Sequence, residues 1–99
     1  MTTKMIYVIV KKYGWTGDRI GAGTYVEPTY VSPRVGPSAP IETIRSGSAI
    51  VEHATPEQAW STTDLESAKK ALAHVQRISG MDRIEALLRF GIYPRETNQ

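Results

Sequence analysis

The chain has 99 residues and a formal net charge of +2, with 40% hydrophobic, 22% charged and 8% aromatic residues. That is one ordinary globular domain, and it excludes two independent cores, wholesale disorder and a strongly acidic nucleic-acid mimic. No cysteine is present, so a disulfide framework and a thiolate metal site are excluded and burial must hold the domain together.

The longest apolar run, Met5 to Val10, is six residues, against the roughly 20 a membrane helix needs. The Met1-Thr2-Thr3-Lys4 start shows no signal-peptide pattern, so a cytoplasmic chain without membrane contact is expected. Lys4 to Tyr13 (KMIYVIVKKY) is rich in β-branched and aromatic residues and predicts a strand. Both of its faces are apolar over Met5–Val10, which predicts a central strand covered on one side by helix. Gly14-Trp15-Thr16-Gly17-Asp18 is a turn, and Arg19–Val26 is expected to return antiparallel, weakened at Gly21 and Gly23.

Residues 27–40 hold four of the six prolines, at 28, 33, 37 and 40, and predict an extended loop without a regular ladder. Ile41–Ile44 and Ala49–Ala54, on either side of Arg45-Ser46-Gly47-Ser48, predict a second hairpin. Gln58–Ser61 predicts a short edge strand carrying Trp60. The period then changes to that of a helix. Thr62 or Thr63 is the expected cap, Thr63 and Glu66 have capping-box spacing, and Leu65, Ala68, Leu72, Val75 and Ile78 form one apolar stripe. Ser79-Gly80 stops that helix, and Asp82–Phe90 predicts a shorter one with Ile84, Leu87 and Leu88 turned inward. Tyr93-Pro94 and residues 95–99 read as a loose tail. The expected architecture is a single α+β domain over 1–99, strand-rich over 1–61, a helical hairpin over 62–91 and a tail over 92–99. Its small antiparallel sheet of three or four strands is covered by a C-terminal pair of α-helices.

Catalytic signatures are missing. The two histidines, His53 and His74, lie far apart in sequence, and His53 and Glu52 point to opposite faces of a strand. Metal-ligand spacing, a G-x-S-x-G elbow and a strand–glycine loop–helix phosphate cradle are all absent, so no catalytic, cofactor or metal residue is expected. A small enzyme using His53 with Glu52 or Asp64 is the least favoured reading. A helix-turn-helix reading of the segment around Ser79-Gly80 is opposed by Asp82 and Glu85 at the end that would face DNA.

Contact surfaces fit better. Residues 1–50 carry a charge of +3 and residues 51–99 a charge of −1, and five of the eight aromatics lie in the first half. Candidate partner-binding residues are Trp15, Tyr13, Lys11, Lys12 and Arg19 around the first turn, with Tyr30 and Arg34 in the proline-rich segment. A protein partner is the first expectation, nucleic acid bound by the basic and aromatic N-terminal face the alternative, and a homodimer through an exposed sheet edge a further one.

The strand Met5–Lys12, followed late by Ala59-Trp60-Ser61-Thr62-Thr63-Asp64-Leu65-Glu66-Ser67-Ala68-Lys69-Lys70-Ala71-Leu72, resembles short phage and mobile-element proteins, among them small anti-CRISPR inhibitors. The matched stretch is about a fifth of the chain and carries over no functional residue, while the second helix and the proline-rich segment depart from the pattern. The resemblance implies a sheet with a helix, no catalysis, a place in the host cytoplasm, and inhibition of a host defence complex by surface occlusion.

Overall fold

The computed structural model describes residues 3–12, 14–15, 25–26 and 28–98, with the backbone alone at 14–15, 25–26 and 98. In chain order the elements are β1 (Thr3–Lys11), β2 (Gly14–Trp15), β3 (Tyr25–Val26), β4 (Thr29–Pro33), α1 (Ile41–Arg45), β5 (Ile50–His53), a 3-10 turn (Pro56–Gln58), β6 (Ser61–Thr62), α2 (Leu65–Ile78), α3 (Arg83–Arg89) and β7 (Phe90–Asn98). Among the described residues no helix is long and apolar enough to cross a membrane.

The β1 strand is central, as its two apolar faces require. On one side it pairs antiparallel with β7 along its whole length, from Thr3↔Asn98 to Lys11↔Phe90. The other side is shared, with β4 meeting Ile9–Lys11 and β6 meeting Tyr7 and Val8. The β5 strand extends the sheet beyond β4, completing five antiparallel strands. The β2–β3 pair, Gly14↔Val26 and Trp15↔Tyr25, continues the register set by Lys11↔Thr29. The pair is a separate two-stranded ladder, and Pro28, just before β4, has no N–H to donate. Tyr25–Val26 returns antiparallel as expected, and the rest of the expected partner, residues 19–24, lies outside the described residues.

The core lies between one face of this sheet and the helices. Ile9, Val31, Val75, Ala86 and Phe90 form its buried centre, with Trp60, Leu72 and Ile92 packed around them. Ala68, Val75 and Ile78 of the α2 stripe are buried as their spacing predicts, whereas Leu65 in the first turn is exposed, and Gly80 ends the run with φ near +80°.

Several expectations are corrected. The helices lie mid-chain, and the segment expected as a loose tail is the nine-residue strand β7. Residues 29–33, expected inside an irregular loop, form β4 with Pro28 and Pro33 at its two limits, the positions where a strand tolerates proline. Ile41–Ile44 is helical; its two isoleucines are three apart, a spacing that shares a helix face and divides across a strand. The short strand expected over Gln58–Ser61 is β6, which pairs with β1 alone, and Trp60 lies just before it, partly buried against the core. On α3, Ile84, Leu87 and Leu88 point outward, at 72%, 55% and 69% exposure. The helix is joined directly to β7, and seating Ala86 and Phe90 in the core fixes its rotation.

The cap of α2 is Asp64, one residue past the expected threonines. Its carboxylate accepts from the Ser67 hydroxyl at 2.7 Å and from the Ser67 N–H at 3.0 Å. The hydroxyl bond first, then the N–H bond, hold Asp64 below its ordinary 3.8. Because the folded value is the lower one, this stabilisation is complete above the unfolded value and is lost as pH falls through the folded one. We expect Asp64→Ala to lower the thermal midpoint at neutral pH and to remove that acid-dependent component. Melting curves of both chains from pH 7 down to 2 check it, and equal pH dependence in the two would count against the cap.

Candidate functional site

Alternation along the strands sorts the sheet into two chemically different faces. Ile9, Lys11, Val31, Ile50, Glu52, Phe90 and Ile92 share the helix-covered face by register. There Lys11 reaches Glu52 at 3.3 Å, and Thr29 donates to the same carboxylate at 2.7 Å. The other face carries Lys4, Ile6, Val8 and Val10 of β1, with Lys12 just past its end. Beside them are Tyr93 and Arg95 from β7, Tyr30 from β4 and His53 from β5. The two carboxylates in the strands, Glu52 and Glu96, both take the helix-side parity. This face, open at the exposed Lys4 and Lys12 although Val8 at its middle is fully buried, gathers cations and rings with no strand carboxylate among them.

Its geometry is specific. The Tyr30 and Tyr93 rings lie 5.5 Å apart at an interplanar angle of 57°, and Tyr93 is 39% exposed. Lys12 runs over Gly91, where an added Cβ would come within 3.0 Å of its Cε. Gly91 therefore leaves room for the lysine stem, and a side chain there would push it away. Arg95 is fixed from the 3-10 turn by Glu57 at 3.1 Å. Ser32 pairs with Nε2 of His53 at 3.1 Å while accepting the Trp60 N–H at 2.8 Å. The Ser32 hydroxyl is thereby tied to the backbone that carries Trp60 into the core, which accounts for the pair structurally.

The candidates named from sequence divide. Tyr30 and Lys12 are on the open face, whereas Lys11 is on the helix side, engaged by Glu52. Arg34 is exposed just past β4, its N–H bound to the Ala49 carbonyl at 2.8 Å. Tyr13, Arg19 and the side chain of Trp15 lie outside the described residues. Tyr93 and Arg95 were missed because Pro94 made the segment read as a tail. The signal was the alternation of Phe90 and Ile92 against Tyr93, Arg95 and Thr97.

His74 lies elsewhere, on α2. Its Nε2 meets the Val35 carbonyl at 2.7 Å and its Nδ1 the Arg77 guanidinium at 3.2 Å. A neutral ring donating from Nε2 satisfies both contacts and clamps the proline-rich segment to α2. Among the described residues no group of three or more His, Asp or Glu side chains is placed to hold a metal ion. The open edge of β7 carries Pro94 at its centre, opposite Tyr7. A proline in a ladder turns its missing N–H to the free side, so this edge is blunted against strand addition.

No protein-family model matches the chain, and neither a curated protein nor a solved structure is significantly similar to it.

Proposed function

We propose that the chain is a non-enzymatic binding module whose open sheet face engages single-stranded nucleic acid. The observation that supports this best is the division of charge across the sheet. Lys4 and Lys12, with Arg95 held by Glu57 of the 3-10 turn, share one face with Tyr30 and Tyr93, and the strand carboxylates share the other. Rings on an open sheet can stack on unpaired bases while the cations meet phosphate. Fluorescence anisotropy with a labelled oligo-dT tests it. Affinity is expected to fall with salt at about 0.7 log units per phosphate contact. Tyr93→Ala is expected to cost about 1–3 kcal/mol of binding, and Lys12→Glu to weaken binding and flatten the salt dependence. Absent binding at low salt, or equal binding by both variants and the parent chain, would rule the reading out.

A second reading, a protein-interaction module, is favoured by the outward Ile84, Leu87 and Leu88 of α3. Occlusion of a host defence complex is the form of it that the anti-CRISPR-like stretch suggests.

A further inference from the structure

We infer that the cleft between α2 and α3 is a docking groove for an acidic amphipathic helix of a partner protein. The inference rests on the protein-interaction reading and uses none of the residues of the open sheet face.

The cleft encloses about 390 Å³ and is lined by Ala73, Gln76, Arg77, Met81, Arg83, Ala86 and Leu87. That volume lies within the range of about 300–1,000 Å³ typical of small-ligand and anchor pockets. Its apolar wall does not stop at the rim, since Ile84 and Leu88 follow Leu87 around the outer side of α3. An exposed stripe of this kind beside a cleft is what a helix with apolar anchors at i, i+3/i+4 and i+7 can cover.

Charge selects the occupant. The lining holds two arginines and no carboxylate. Arg77 is held at the rim by the Pro37 carbonyl at 3.4 Å and by Nδ1 of His74 at 3.2 Å. Arg83 has no carboxylate partner among the described residues. On α3 itself, Glu85 is engaged by Arg89 at 3.9 Å. A second copy of this chain would bring two arginine-rimmed clefts together, and a seven-residue helix offers far less than the roughly 800 Å² per partner of a stable interface. A partner helix with carboxylates beside its apolar anchors meets both the walls and the rim.

The test uses the full chain and a fluorescein-labelled helical peptide of about 16 residues, with leucines at i, i+4 and i+7 and glutamates beside them. A second peptide has lysine in place of each glutamate. Saturable binding of the acidic peptide is expected, weakened about tenfold or more by Arg83→Glu and by Leu87→Ser, with oligo-dT binding unchanged. Backbone amide shifts of the unmodified chain, expected at residues 83–88, give a readout that needs no variant. Equal binding of the lysine peptide would overturn the acidic chemistry while leaving a protein-binding groove. A dimer in light scattering that Leu88→Ser dissolves would give the surface to a second copy and overturn the inference. Binding of neither peptide by a monomeric chain would overturn this inference and leave the protein-interaction reading to surfaces other than the cleft.

Discussion

A chain ending at Arg89 is expected not to fold. The lost residues are the whole of β7, the neighbour of β1 on one side at all nine of its positions. Removing them leaves the strand with its edge open from Thr3 to Lys11. Phe90 and Ile92 also go, one from the buried centre and one from its surround, so α2 and α3 lose part of the platform they rest on. A domain of this length holds about 5–15 kcal/mol of net stability, and a full ladder together with two core side chains is enough to exhaust it. Far-UV circular dichroism, a urea titration and a proton NMR spectrum of the truncated chain check this. A cooperative transition and dispersed amide signals in that chain would refute it. A milder version keeps the length: Ile92→Asp places a charge against the core and should lower the urea midpoint strongly.

Phe90→Ala is expected to cost about 3–5 kcal/mol, whereas Leu88→Ala stays within about 0.5 kcal/mol. The two residues are near neighbours in sequence and differ in surroundings, Phe90 being 3% exposed and Leu88 69% exposed. Phe90 sits where several elements converge, because it ends α3, begins β7 and packs with Ile9, Val31 and Val75. Urea midpoints at an unchanged slope give both numbers. A loss at Leu88 equal to that at Phe90 would mean that α3 packs with its other side inward, which would also bury the wall of the α2–α3 cleft.

The open sheet face and the α2–α3 cleft lie on different parts of the molecule and fail separately. Substitutions at Tyr93 and Lys12 address the first, and those at Arg83 and Leu87 the second. Oligonucleotide and peptide titrations on one set of variants therefore distinguish a module with two surfaces from a module with one.

Local pattern carried much of this protein. β1 follows from its run of β-branched residues, the length and inward stripe of α2 from the spacing of Ala68, Val75 and Ile78, and the α+β class from the change of period near residue 62. These depend on neighbours a few residues apart, and a sequence displays such neighbours directly. Half of the open face was legible as well, through Tyr30 and Lys12. What stayed hidden depends on partners distant in the chain. β4 and β7 contain prolines that suggest loops, and they become strands because β1 supplies a ladder from residues 18 or more positions away. The two sides of α3 look equally able to face inward until the strand that follows is anchored, and that anchoring turns Ile84 and Leu88 out to solvent. Tertiary pairing likewise separated Lys11 from Lys12 and drew Tyr93 to Tyr30, since which face a strand residue occupies is set by the register of the whole sheet.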